Sequence, residues 1–472
     1  MIVSQNWIIR TIISFGLWNG ACAQGSGQTT AYDPAHLFSV SELRADLGWY
    51  QQQLQQKHPG LYTYTSRTAL DACFDSIALR IDHPMTEREF FNLLSTVSSR
   101  ICDGHTHIFP SDEAMAYQEE QGRFLPLKIV WLDGKMYTTG SWRHRDTIPA
   151  GSEILAIDGR EAAEIRTFMM ERQLRDGYNI SYANWILNRW FRNYYAFHFG
   201  WSDYYNIRYR QAGQAPCSAQ LSAMSNDDIA RCKPVESFKG QGITLFTDTA
   251  QSLALLTIRD FHADVLKDQY GQRFKPSIDR HFSTIRRLRI QNLVIDLRDN
   301  QGGDVKFGTY LLSFLINRPF KTLDGFGKVR HGKAPEKDRV RNANGPSQGW
   351  HRPKQHTYKG KLYILVNGGS FSNSVIVCSA LRRYTDCIFI GEESGGNPAL
   401  INGSGNYSTL PHTKLKIMVP RLQYRLSEPG SNIGRGIQPD FVVKPGLDDL
   451  LKNEDIVRSF ALNLIHQNRH QK

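Results

Sequence analysis

Leu293-Val-Ile-Asp-Leu-Arg-Asp-Asn-Gln-Gly-Gly303 and Leu362-Tyr-Ile-Leu-Val-Asn-Gly-Gly-Ser-Phe-Ser-Asn-Ser374 decide how this chain of 472 residues is read. Each opens with a short run that is apolar on both faces, the pattern of a strand buried inside an α/β sheet. Each run ends in a polar turn with adjacent glycines, which lets backbone N–H groups approach a ligand closely, as an oxyanion requires. In the second stretch, serines stand where the strand turns into the apolar segment 375–381. A serine there lies at a helix N-terminus, where the dipole favours a developing anion, although serines at such a place also serve simply as caps. Gly391-Glu-Glu-Ser-Gly-Gly396 closes another strand, 387–390, with a further flexible loop.

Outward from these stretches, residues 242–446 alternate strands, at 253–258, 292–297 and 362–366, with helical segments, and an amphipathic helix is expected over 447–465. Residues 39–101 are helical in pattern: Leu43, Leu47, Leu54, Phe90 and Leu94 recur at helical spacing, and Thr86-Glu87-Arg88-Glu89 has the form of a capping box. Between these regions the texture is that of short strands. Asp133-Gly134 between apolar runs predicts a hairpin. Ile148-Pro-Ala-Gly-Ser-Glu-Ile-Leu-Ala-Ile-Asp-Gly159 resembles the turn–strand–turn signature of PDZ-type domains, which capture extended peptides at a sheet edge. The Trp- and Tyr-rich stretch 178–209 reads as core or domain interface.

Hydrophobic residues make up 40% and charged residues 22%, which excludes a mainly disordered chain. No apolar run reaches the length of a membrane-spanning helix. The first 23 residues read as an export signal: Arg10, a short apolar stretch over 11–18, and Ala21-Cys22-Ala23 as a cleavage site. That implies a periplasmic or secreted protein, with lipoprotein anchoring at Cys22 as the lesser alternative. Cleavage leaves six cysteines, an even number that permits disulfides in an exported protein, Cys217 with Cys232 being the nearest pair to expect. The formal net charge is +12, and between Lys321 and Lys361 eleven Lys or Arg face three acidic residues. No nucleic-acid motif accompanies that strip, so a rim that prefers acidic peptides is the better reading than nucleic-acid binding.

In their order and spacing, the glycine turns and the serine turn resemble the tail-specific, or carboxy-terminal processing, serine peptidases and the core of the tricorn protease. That family shows D-L-R-x-N-x-G-G, then T-A-S-A-S-E, then G-E-x-T-x-G-K, and Gly436-Ile-Gln-Pro-Asp440 is similar to its closing segment. The resemblance implies an α+β multidomain protein: a helical N-terminal domain at 39–122, a PDZ-like β module at 123–240, an α/β peptidase core of the ClpP/crotonase type at 241–446, and a C-terminal helix at 447–472. It implies peptide or protein substrates, no cofactor and no metal. Carried over by position, Ser372 is the nucleophile. Asn373 N–H is one oxyanion donor, and Gly302 or Gly303 the other, with Gly303 favoured.

The departures from the family pattern redirect the search for a base. Asn397 stands where one branch has its lysine, Val375 where the motif has glutamate, and Arg383 where an acidic residue follows. An amide cannot take a proton from serine, so the base comes from elsewhere. Cys102-Asp-Gly-His-Thr-His-Ile108 resembles the upstream histidine motif of the secreted members and nominates His105, with His107 second. Gly104 stands where the tricorn protease has a serine. Asp103, Thr106, Glu393 and Glu428 are candidates for orienting the imidazole. Two other readings stay open at this stage. One is a peptide-binding protein of the same fold without catalysis; the other is a metal-dependent amidohydrolase using His105 and His107 as an H-x-H ligand pair.

Overall fold

The structure, a computed structural model, describes residues 32–143, 148–232, 238–329, 340–342, 347–426 and 434–470. The export segment 1–23 with Cys22, residues 330–339 of the basic strip, and Glu428 lie outside the described residues.

A six-stranded sheet frames the site. Its order is Ile243–Asp248, Leu253–Ile258, Asn292–Asp296, Lys361–Val366, Ile388–Gly391 and Phe441–Val442. The first pair is antiparallel and every later pair parallel. Along Leu253–Ile258 the side chains alternate between two cores. Ala254, Leu256 and Ile258 pack with helices Phe274–Arg287, Val305–Leu315 and Asn373–Tyr384, while Leu253 and Leu255 lie under Val457, Ala461 and Ile465 of helix Ile456–His470. Cover on both faces is why these strands are apolar throughout. Because Asn292–Asp296 and Lys361–Val366 are parallel neighbours, their glycine turns leave the sheet side by side at one edge, where open α/β sheets bind ligands.

The expected C-terminal helix is two helices, Leu447–Lys452 and Ile456–His470, parted by Asn453 in the left-handed conformation (φ 58°). Arg298 fastens the second of them to the sheet, donating to both carboxylate oxygens of Asp296 and of Asp455 at 2.7–2.9 Å.

Helices Val40–Lys57 and Glu87–Leu94 both start with capping boxes, Ser39 with Glu42 and Thr86 with Glu89, which satisfy N–H groups the helix leaves open. Their apolar faces share one core with Leu410, Leu415, Ile417 and Val419, from the far end of the chain. Strand His107–Phe109 extends that seam by pairing antiparallel with Lys416–Val419. The loop carrying Asp103 and His105 is thereby held against the C-terminal half of the chain.

In the middle of the chain a sheet runs Leu127–Leu132, Lys135–Ser141, Glu153–Ile157, Tyr204–Arg210, Cys217–Ser222. The hairpin turn has Asp133 and Gly134 at φ 48° and 82°, both left-handed as a two-residue turn demands. Helix Ser181–Phe199 lies along the first strand, where Asn188 accepts from Trp131 N–H (2.8 Å) and donates to Trp131 C=O (3.3 Å). Its buried rings Tyr182, Trp190, Phe191, Tyr194 and Tyr195 form a core that also takes in Phe371, next to Ser372.

The disulfide expected between Cys217 and Cys232 is not formed, and none of the six cysteines described is in a disulfide. Cys217 lies exposed opposite Tyr209, whereas Cys232 ends helix Asn226–Arg231 against the Phe124, Met224 and Ile229 cluster. The two thiols belong to separately packed elements. Among the described residues no helix is long and apolar enough to cross a membrane. The whole is a multidomain α+β fold.

Candidate active site

Three serines follow the strand Lys361–Val366, and the structure gives each a different task. Ser370 Oγ donates to Leu297 C=O (2.8 Å) and Ser374 Oγ to Asn300 C=O (2.7 Å), so both brace the neighbouring glycine turn. Ser372 Oγ instead faces His105, 3.2 Å from Nε2. Ser372 sits just before helix Asn373–Tyr384 with φ 51° and ψ −117°, a backbone state that costs a side-chain-bearing residue about 1–3 kcal/mol. The strain turns the hydroxyl off the helix axis and into the site, the device of a nucleophile elbow.

The glycines of the two turns divide into separate roles. A Cβ on Gly368 or Gly369 would come within 2.3–2.4 Å of Ser181 C=O or the Trp185 ring, so these two let helix Ser181–Phe199 pack against the serine turn. Gly302 abuts Ser372: a Cβ there would lie 2.6 Å from Asn373 N and 2.8 Å from Ser372 Cβ. Its own N–H donates to Asn300 Oδ1 (2.9 Å). Gly303 (φ 129°) follows, and Asn373 is the first residue of the serine helix. The Asn373 side chain is turned away, donating to Asp304 C=O (2.9 Å).

His105 is buried at 1% exposure, stacked on Phe371 with ring centroids 4.7 Å apart. Phe371 in turn stacks on Tyr182 at 4.1 Å. Burial depresses the His105 imidazole to about 4 against the opposing pull of the Asp103 charge, and the neighbouring His58 adds to the depression. The ring is therefore neutral at neutral pH. Gly104 explains a departure noted in the sequence: a Cβ at that position would meet Phe371 Cζ at 2.6 Å and Asp176 Oδ1 at 3.0 Å. A serine does not fit where Phe371 supports the histidine.

Of the four residues considered for orienting the imidazole, two sit beside it. Asp103 accepts from His105 N–H (2.8 Å), Thr106 Oγ1 (3.1 Å) and Asn402 Nδ2 (2.5 Å). Burial works against its charge, yet the His58 and His105 rings and these hydrogen bonds more than offset it, and the carboxyl stays below its ordinary range. His58, which the sequence reading missed, is fully buried behind Thr106. Gly60 N–H donates to its Nδ1 (3.1 Å), which assigns the ring proton to Nε2 and makes that nitrogen the donor to Thr106 Oγ1 (2.9 Å). A histidine followed by Pro59-Gly60 carries no signal of its role in sequence.

Glu393 is committed elsewhere, to Arg435 (2.6 and 3.0 Å), Gly436 N–H (2.7 Å) and Ser181 Oγ (3.4 Å). His107 is engaged elsewhere than Ser372, its Nε2 donating to Gly104 C=O (3.1 Å), and burial depresses it to about 3. Among the described residues no three His, Cys, Asp or Glu side chains come together as metal ligands. A small aromatic cavity bounded by His107, Phe109, Tyr182, Trp190, Tyr194 and Gln301 adjoins the glycine turn.

The profile of peptidase family S41 matches residues 252–443, which span five of the sheet's six strands, both glycine turns and the serine helix. That segment is an S41 peptidase segment. S41 members are serine peptidases, hydrolases, and the S41 segment here holds Ser372, while His105 reaches it from outside the matched span. Among solved structures, mature CPAF shares the fold at 13% identity and a TM-score of 0.67, over 90% of this chain and 96% of its own. Mature CPAF complexed with lactacystin does so at 13% identity and 0.68, over 90% and 98%. At that identity the likeness speaks for the fold, which thus extends well beyond the S41 segment. No curated protein sequence matches the chain.

Proposed function

We propose that this chain is an exported serine endopeptidase of the S41 type in which Ser372 and His105 act as nucleophile and general base. The observation that carries this reading is the 3.2 Å approach of His105 Nε2 to Ser372 Oγ between elements 267 residues apart. In the mechanism, Ser372 Oγ attacks the scissile carbonyl carbon as its proton passes to His105 Nε2. The oxyanion takes hydrogen bonds from Asn373 N–H and Gly303 N–H, at the positive end of the serine helix. Gly302 is the poorer second donor because its N–H is already given to Asn300. The Asp103 charge favours the imidazolium that forms, and Phe371 keeps the ring in plane with its target. His105 then protonates the leaving amine, and water resolves the acyl-enzyme.

Residues 123–240 are read as a PDZ-like module that presents an extended peptide. At its first strand, peptide addition competes with Asn188, which already holds both backbone groups of Trp131. Export rests on the sequence of residues 1–23 alone, and with it the periplasmic or secreted location.

Covalent labelling by a fluorophosphonate tests the reading. Labelling is expected in the wild-type protein, with loss in Ser372→Ala and at least a 100-fold slower rate in His105→Ala. A folded wild-type protein that neither labels nor cleaves any peptide overturns it in favour of a peptide-binding protein.

A further inference from the structure

Asp176 is a buried carboxylate that the mechanism above does not use. It lies at 3% exposure, and among the described residues no cation pairs with it. Its oxygens face two backbone donors from distant parts of the chain. Oδ1 accepts from Gly104 N–H (2.8 Å), the residue before His105, and Oδ2 from Asn397 N–H (3.2 Å), at the end of the loop 391–397. Two glycines make room for it: a Cβ on Gly104 would lie 3.0 Å from Oδ1 and one on Gly396 3.5 Å from Oδ2, and both would also press on Phe371. Asn397 occupies the lysine position of the tail-specific branch, yet its side chain donates to the Tyr64 hydroxyl (2.5 Å). The backbone of Asn397, rather than its side chain, is tied to the histidine loop.

We propose that Asp176 is a positioning residue whose carboxylate clamps the histidine loop to the loop 391–397 and so holds His105 against Phe371 and Ser372. The clamp needs both oxygens as acceptors. Protonation converts one of them into a hydroxyl that opposes an N–H donor, so the clamp closes only when the carboxyl is ionised. Burial, and the Asp103 charge, raise Asp176 to about 7, against which the Gly104 and Asn397 N–H groups pull. The other titratable groups facing it are Cys102 on the histidine loop, Tyr64 on the N-terminal segment and Tyr182 on helix Ser181–Phe199. Thiol and phenols alike are shifted above their ordinary values, so Asp176 is the group that changes charge near neutrality. Glu393 on the adjoining loop is turned to Arg435.

The proposal rests on Ser372 and His105 being the reactive pair, and its test separates the two claims. Fluorophosphonate labelling rates are measured from pH 5 to pH 9 for the wild type, Asp176→Asn and Asp176→Ala, with Ser372→Ala as control. The wild-type rate is expected to rise through an ionisation near pH 7 that both Asp176 variants lack. Asp176→Asn should be about 10-fold slower than wild type at pH 8.5 and within about twofold at pH 5.5, the loss expected for one hydrogen bond to a charged group. A variant slowed equally at every pH, or not at all, overturns the clamp. Should the wild type never label, the Ser–His reading fails, and the clamp is still read from the Gly104 and Asn397 amide resonances. Those should titrate together near pH 7 in the wild type; amides that do not titrate overturn it. The same wild-type titration decides the matter if the variants fail to fold.

Discussion

His105 stacks on Phe371, centroids 4.7 Å apart and planes 26° from parallel, while its Nε2 meets the hydroxyl of the very next residue, Ser372, at 3.2 Å. One residue supports the imidazole and its neighbour's hydroxyl meets it, so the turn that sets the hydroxyl also aligns the ring. Replacing Phe371 with Leu keeps apolar volume but removes the ring face that steadies the imidazole and favours its cation. Aromatic and cation–π contacts of this kind contribute about 1 kcal/mol, so kcat should fall roughly 5- to 10-fold with little change in KM. Steady-state cleavage of a peptide substrate measures both; a change confined to KM refutes the supporting role.

Restoring a serine at position 104, as in the tricorn protease, should harm this protein. The added Cβ meets Phe371 Cζ at 2.6 Å and Asp176 Oδ1 at 3.0 Å, and overpacking of that kind costs about 1–3 kcal/mol. Gly104→Ser should therefore lower Tm and slow labelling. The double variant Gly104→Ser with Phe371→Ala should recover most of the Tm attributable to the clash while staying slow. Thermal melts and labelling rates on the four proteins complete the cycle, and additive effects on Tm would contradict the contact.

Asp103 is expected to matter through charge. Asp103→Asn keeps the size but puts an NH2 group against either the Asn402 donor or the Thr106 and His105 N–H donors, and removes the negative charge that favours the imidazolium. A fall in kcat of about 100-fold or more is expected, by analogy with the loss of the buried aspartate in serine-protease triads. Thr106→Val and His58→Phe, which loosen the same carboxylate from behind, should give smaller losses in the same direction. Wild-type kcat in all three would show that Asp103 does not act on His105.

Much of this arrangement is legible in the sequence because it depends on local pattern. The two strand-and-glycine stretches are apolar on both faces because both faces are covered, and that shows in residues 293–297 and 362–366 before any contact is known. The Thr86–Glu89 capping box and the Asp133-Gly134 turn are likewise local chemistry. What stayed hidden is carried by contacts between distant segments. His58 and Asp176 have unremarkable neighbours in sequence, and only the seam between His107–Phe109 and Lys416–Val419, with the packing of helix Ser181–Phe199, brings them to His105. Gly368 and Gly369 looked like ligand-approach glycines and are spacers for Ser181 and Trp185. Spacing of fifteen residues made Cys217 and Cys232 look like a pair, but separate packing keeps them apart.

Buried histidines set the response to acid. Burial depresses His105 to about 4, and His107 and His198 to about 3, in the folded chain. In the unfolded chain each ring takes up a proton near pH 6.5. Below that pH the unfolded state binds more protons, so each ring's contribution to stability is lost as pH falls from about 6.5 toward 3. Asp176 works the other way: its folded value is raised to about 7, so between roughly pH 4 and 7 the folded state binds more protons and stability rises as pH falls. Among the groups shifted furthest in this range, three rings stand against one carboxyl, which predicts net loss of Tm between pH 6.5 and pH 4. His107→Gln, which preserves a donor for Gly104 C=O, should flatten that loss, and Asp176→Asn should steepen it. Thermal melts across that range check both slopes, and an unchanged slope in His107→Gln would show that its ring is not held neutral by burial.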